Sequence, residues 1–94
     1  MKTIWKFPLA IADAQDIRAP TGAEVIAVQM QGGHPCAWAI VDSDATGQAG
    51  FTIHMRGTGH ALGSVGAYVS TFQMEDGALV FHAFVSYPET RERA

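Results

Sequence analysis

Apolar and polar residues alternate along most of this chain, in runs too short for a helix. A period of two is the pattern of a β-strand, whose successive side chains point to opposite faces. Residues 9–20 also fit one helical turn, but Pro20 and Gly22 follow closely and favour a short strand at 15–18. The predicted strands cover residues 2–7, 15–18, 23–31, 36–41, 51–56, 67–74 and 78–87.

Turn signals separate these runs. Gly32-Gly33 supplies the positive φ that a tight hairpin needs, and Glu75-Asp76-Gly77 marks a second hairpin. Residues 42–50 and 57–66 read as loops by composition. Six or seven short strands with regular turns predict an all-β fold, a small antiparallel sandwich or barrel. We expect residues 1–88 to form a single domain and residues 89–94 a charged, disordered tail.

The predicted strands hold few charges. Residues 25–87 carry five charged side chains, and Arg56 is the one cation among them. The faces expected to meet solvent are therefore apolar or small, at Ala27, Ala37, Ala39, Val41, Val69, Val80 and Phe84. Either a two-layer core buries both strand faces, or one sheet face packs on a partner.

We favour a homo-oligomer, most simply a dimer, because small domains gain stability by association. Trp5 and Phe84 are the predicted interface residues. Trp38 and Phe81 are predicted to lie in the core.

Composition narrows the class of protein. The chain has 94 residues and one cysteine, so no internal disulfide can form, and a reducing cytoplasm is expected. No apolar run approaches the ~18 residues of a membrane span. Six basic residues stand against nine acidic ones, without the basic stripe of a nucleic-acid binder. We expect neither membrane nor nucleic acid as a partner, and no cofactor.

One segment combines groups that bind anions. Arg56, Gly57, Thr58, Gly59 and His60 bring together a guanidinium, a hydroxyl, an imidazole and amides made accessible by glycine. Such groups can cradle a carboxylate or phosphate. The alternative is a flexible bend in which Arg56 is solvated or paired with Asp42 or Asp44.

The remaining candidate chemistry is weaker. His54 and His82 lie in predicted strands and can meet across a sheet, where Cys36 or His60 would complete a zinc site. The alternative is ordinary hydrogen-bonded histidines, with Cys36 a buried, inert thiol. No residue is assigned a catalytic or metal-binding role, and an enzyme is not expected.

Several motifs carry a resemblance. The opening Met-Lys-x-Ile-Trp-Lys-Phe-Pro-Leu resembles the start of a family of short uncharacterised proteins encoded by phages, prophages and bacteria. Similar motifs follow at residues 20–25, 33–39, 57–60 and 71–82, so the resemblance spans nearly the whole chain. It implies a mobile-element context and no particular mechanism.

These observations predict a non-enzymatic accessory protein that binds a host protein or an anionic small molecule as a homo-oligomer. One alternative is a structural protein-interaction module without a small-molecule site. A second is a small metal- or histidine-dependent hydrolase.

Overall fold

The computed structural model describes residues 1–88 and confirms the all-β prediction, with two antiparallel sheets. One sheet has three strands in the order β1-β4-β3, and the other has four in the order β2-β5-β7-β6. The strands are β1 Lys2–Pro8, β2 Ala14–Ile17, β3 Glu24–Gln31, β4 His34–Asp42, β5 Phe51–Gly57, β6 Ala67–Met74 and β7 Leu79–Ser86. The predicted tail at 89–94 lies outside the described residues.

Both predicted hairpins are confirmed. Gly32 and Gly33 have φ angles of 57° and 84° and join β3 to β4. A single 3-10 turn, Glu75–Gly77, joins β6 to β7, and all three of its residues have positive φ. The short strand favoured for residues 15–18 is also confirmed, as β2.

The core lies between the two sheets. The side of β4 that faces this core is the one that was expected to face solvent. Ala37, Ala39 and Val41 are almost completely buried, so their predicted exposure is wrong. Trp38 lies on the outer face of β4 and is half-buried, so its predicted place in the core is wrong. Both faces of β4 are apolar. The face with the smaller side chains lies inside, because small side chains let the two sheets approach closely.

The rest of the core is closer to expectation. Phe81 packs against the buried cluster, as predicted, and the ring of Phe7 meets that of Phe51 edge-on across the two sheets, with centroids 5.5 Å apart. Cys36 is buried, as predicted. The other residues expected on exposed faces are half-buried: Ala27, Val69, Val80 and Phe84.

The two sheets meet most closely along β3 and β6. Each of these strands carries an irregularity in its pairing, at Ile26 and at Val69. Where they approach, the Val28 amide donates to the Ser70 hydroxyl at 3.1 Å. The Val25 amide donates to the Tyr87 hydroxyl at 3.0 Å. Hydroxyl groups therefore satisfy edge amides of β3 that have no neighbouring strand to bind.

Candidate functional site

The outer face of the four-stranded sheet carries most of the polar side chains of its own strands. Residues directly opposed in antiparallel strands project to the same face, so the register defines this surface. We call it the polar face: Thr52, His54 and Arg56 of β5, Tyr68 and Thr71 of β6, and His82, Phe84 and Ser86 of β7. The loop of residues 57–66 borders one end of it.

Arg56, predicted to bind an anion, is engaged within the protein. Its Nε donates to the Leu62 carbonyl at 2.9 Å, and its Nη1 donates to the carbonyls of Asp13 and Met55 at 2.7 and 2.9 Å. The guanidinium thus ties the end of β5 to two neighbouring loop segments. Within residues 1–88, this leaves Nη2 as the group with which Arg56 can meet an anion.

The segment after Arg56 forms a tight turn. The His60 amide donates to the Gly57 carbonyl at 3.1 Å, and Gly59 takes a φ of 88°, which favours glycine. The His60 ring lies against Gly57, where an added Cβ would be 2.9 Å from the imidazole. The absence of a side chain at Gly57 therefore lets the ring fold back over the end of β5.

This turn forms one wall of a shallow cavity of about 380 Å³. Thr58 and His60 supply its polar side chains. The opposite wall is the start of β7 and the residue before it, and its side chains are apolar: Ala78, Leu79, Val80 and Phe81. Arg56 does not line the cavity. The structure thus places Gly57, Thr58 and His60 together at a concave surface and directs Arg56 away from it.

A chain of hydrogen bonds leads across the polar face to this cavity. The Tyr68 hydroxyl lies 2.8 Å from Thr71 Oγ1, which lies 3.0 Å from His82 Nδ1. The other ring nitrogen, Nε2, lies 2.8 Å from Thr58 Oγ1. These hydrogen bonds could not be predicted from the alternation, because the irregularity at Val69 places Tyr68 and Thr71 on one face despite their odd spacing.

A second polar group surrounds His54. Its Nε2 lies 2.9 Å from Ser86 Oγ, and nearby the Thr52 hydroxyl donates to Asp16 Oδ1 at 2.6 Å. Partial burial and the charge of Arg56 lower the pKa of His54 below its ordinary value, and Asp16 opposes them. The neutral imidazole is therefore favoured here.

The structure separates the residues of the hypothetical zinc site. Cys36 lies on the outer side of the three-stranded sheet, opposite Pro8 and Gln29, whereas His54 and His82 lie on the polar face. The prediction of a zinc site that includes Cys36 and either histidine is therefore wrong. Among residues 1–88, no three side chains of His, Cys, Asp or Glu are grouped to hold a metal ion.

The outer side of the three-stranded sheet carries an apolar group on its three strands, beside Lys6, which lies opposite Trp38 and donates to Gln31 Oε1 at 2.8 Å. Ile4 is opposite Ile40, and Trp38 is opposite Ala27. We call this set of four residues the apolar face. Ile4 is 55% exposed, and the exposed Ile26 lies beside the set on β3.

The predicted interface residues do not lie on the apolar face. Trp5 is 42% exposed and lies on the edge strand β1, opposite the inward-facing Ala39. Phe84 lies on the polar face, where its ring meets Tyr68 edge-on with centroids 5.7 Å apart. The two residues therefore belong to separate surfaces.

Comparison with known proteins identifies a family but no activity. A family model described as a domain of unknown function matches residues 1–94, which confirms the expectation of an uncharacterised family. No curated protein and no solved structure matches the chain. Within the described part of the chain, no helix has the length and apolar character needed to cross a membrane.

Proposed function

The chain belongs to the family DUF7352, a domain of unknown function, and we propose that it is a non-enzymatic accessory protein that acts by binding. In this proposal it is encoded by a phage or another mobile element, works in the host cytoplasm as a homodimer, and modulates a host protein. The motif resemblance supports the mobile-element origin. The apolar face supports self-association and is the observation that carries the proposal.

The size of the apolar face sets the expected affinity. Its sheet has three strands of up to nine residues. At about 4.8 Å between strands and 3.3 Å per residue, the sheet offers roughly 400 Å² in projection. This is the area of the whole outer side of the sheet, which includes the apolar face, and it is about half of the roughly 800 Å² that specific interfaces bury on each partner. We therefore expect a dimer of micromolar rather than nanomolar affinity.

Charges at the borders of the apolar face select an orientation. Lys2 and Lys6 lie on β1 at one border, and Glu24 lies on β3 at the other, opposite Ile40. A two-fold axis parallel to the strands places β1 of one copy over β3 of its partner, so that Glu24 lies over Ile4 and the two lysines lie two residues to either side of it. An axis across the strands would place lysines over lysines. The first arrangement is self-complementary and is the one we propose.

The strand edges are less suited to association than the face. Lys2, Lys6 and Pro8 occupy the edge strand β1, and charged residues and proline are typical of edges protected from pairing. The edge strand β2 has only four residues. On β3, edge amides already donate to Ser70 and Tyr87. Stacking of faces is therefore favoured over pairing at these three edges.

Charge reversal tests this proposal by sedimentation equilibrium. Lys6→Glu and Glu24→Lys should each weaken the dimer about three- to tenfold, since each replaces two symmetric attractions by repulsions. The double variant should recover most of the affinity. Single variants without effect, or a double variant weaker than either single one, would contradict the proposed orientation.

Matched isoleucines test the face itself. Ile4 lies on the apolar face, and Ile11 lies in the loop between β1 and β2; they are 55% and 47% exposed. Ile4→Asp should abolish the dimer because it places a charge in an apolar contact. Ile11→Asp should leave it unchanged. Equal effects of the two variants would show that the apolar face is not the interface.

A further inference from the structure

We infer that the cavity beside Thr58 and His60 is a site for a small molecule that carries a carboxylate on an apolar body. This inference adds a small-molecule site to the protein-binding function proposed above. The cavity lies next to the polar face, whereas the proposed dimer uses the apolar face on the other sheet. Ligand binding and self-association can therefore each fail without the other.

The shape and lining of the cavity define the ligand. Its volume of about 380 Å³ lies at the small end of the range for ligand pockets, about 300–1,000 Å³. One wall holds Leu79 and Phe81, and Leu79 is 45% exposed. An apolar body would cover this wall. The opposite wall carries Thr58 and His60, so the polar end of the ligand would lie there.

The hydrogen-bond chain determines what Thr58 offers. A neutral imidazole donates through one ring nitrogen and accepts through the other. If Tyr68 donates to Thr71 and Thr71 donates to His82 Nδ1, then Nε2–H donates to Thr58 Oγ1. The Thr58 hydroxyl proton is then free to bond an acceptor in the cavity. Hydrogen bonds that run in one direction strengthen one another, so this series of hydrogen bonds increases the donor strength of the Thr58 hydroxyl.

If the hydrogen bonds ran in the opposite direction, the cavity would be left without this donor. Thr58 would then donate to His82, and Tyr68 would donate to solvent. An acceptor placed against Thr58 selects the first direction. Tyr68 is thus a positioning residue that acts through Thr71 and His82, and it does not contact the ligand.

The lining of the cavity is compatible with an anionic acceptor. Among residues 1–88, no acidic side chain lines the cavity, and the hydroxyl of Thr58 and the imidazole of His60 are its polar side-chain groups. Glu75 and Asp76 occupy the neighbouring turn, but both are exposed, where water and salt screen their charges. A carboxylate also accepts stronger hydrogen bonds than a neutral carbonyl.

Titration of ¹⁵N-labelled protein with sodium benzoate, sodium hexanoate, benzyl alcohol and inorganic phosphate tests the site. Both carboxylates should produce saturable amide shifts confined to Thr58, Gly59, His60, Leu79 and Phe81. Benzyl alcohol, which keeps the apolar ring without the charge, and phosphate, which lacks an apolar body, should each bind at least tenfold more weakly. Equal binding of benzyl alcohol, or carboxylate shifts spread over the protein, would overturn the inference.

Variants identify the groups responsible. Thr58→Val keeps the shape of the side chain and removes the hydroxyl, so it should weaken benzoate binding about tenfold, the loss typical of one hydrogen bond to a charged group. Thr46→Val changes an exposed threonine in the loop between β4 and β5 and should have no effect. Equal affinities of the two variants would overturn the role of Thr58.

The tautomer of His82 gives a separate readout. Long-range ¹H–¹⁵N spectra of benzoate-bound protein should show His82 protonated at Nε2 and not at Nδ1. Tyr68→Phe should reduce that tautomer and weaken benzoate about two- to threefold, with the fold intact. An Nδ1–H tautomer in the complex would refute the proposed direction. Sedimentation of the same samples reports the dimer independently, so loss of one function is distinguished from loss of the other.

Discussion

Replacing Ser70 by alanine tests how the two sheets are joined. Ser70 is 9% exposed, and its hydroxyl accepts the Val28 amide at 3.1 Å from the facing strand. Val28 has no exposed surface, so water cannot easily replace the lost acceptor. Ser70→Ala therefore leaves a buried N–H group without a partner, and we expect this to be a costly change for so small a side-chain deletion.

The cost follows from the energy of an unsatisfied buried donor. Such a group destabilises the folded state by about 1–3 kcal/mol. A chain of this length has a free energy of unfolding of roughly 5–14 kcal/mol. A loss near 2 kcal/mol is thus a large fraction of the total and lowers Tm by about 8–16 °C.

Urea denaturation and amide exchange measure this effect. Ser64→Ala, at an exposed loop serine, is the control and should stay within about 0.5 kcal/mol of the wild type. The Val28 amide should exchange faster in Ser70→Ala, while the Val25 amide, which donates to Tyr87, should keep its relative protection. A loss below about 0.5 kcal/mol, or unchanged exchange at Val28, would show that the Ser70 hydroxyl does not stabilise the contact between the sheets.

Three further variants test the neighbourhood of the polar face. Arg56→Ala should lower the free energy of unfolding in urea by about 1–3 kcal/mol, because three carbonyls lose a charged donor. Arg56→Lys should recover only part of this loss, because an ammonium lacks the guanidinium fork. Full recovery with lysine would contradict the role of the fork. Gly57→Ala should displace the His60 ring and weaken benzoate in the amide titration with little loss of stability, whereas unchanged affinity would show that the ring position is irrelevant. His54→Gln should reduce the loss of stability as the pH falls from about 7.5 to 5.5. Because the pKa of His54 is lowered in the folded state, the unfolded chain binds more protons below about 6.5, and stability falls as the pH drops through the folded value; identical pH dependence of wild type and variant would contradict this.

The strands and turns could be predicted from the sequence because each depends on local pattern. Alternation located every strand, and the glycines located both hairpins. The face of β4 that lies inside could not be predicted in this way. Trp38 and Ala39 are both apolar, so the alternation cannot decide which of the two lies inside.

The candidate site could be predicted only in part. The sequence identified the turn at residues 57–60, because a run of glycines and polar groups stands out in an apolar chain. It did not indicate that Arg56 binds three carbonyls. Asp13 is distant along the chain, and the placement of the Leu62 carbonyl depends on how the loop after β5 folds back. The hydrogen-bond chain through His82 depends on a register shift at Val69, which alternation cannot reveal.

Sedimentation equilibrium of the wild-type protein over a concentration range tests self-association most directly. We expect a weight-average mass that rises from the 10.0 kDa of one chain toward twice that value as the concentration passes through the micromolar range. We also expect Ile4→Asp to remain at the mass of one chain under the same conditions. A wild-type mass of 10.0 kDa at every concentration up to about 1 mM would contradict the proposal that the apolar face joins two copies.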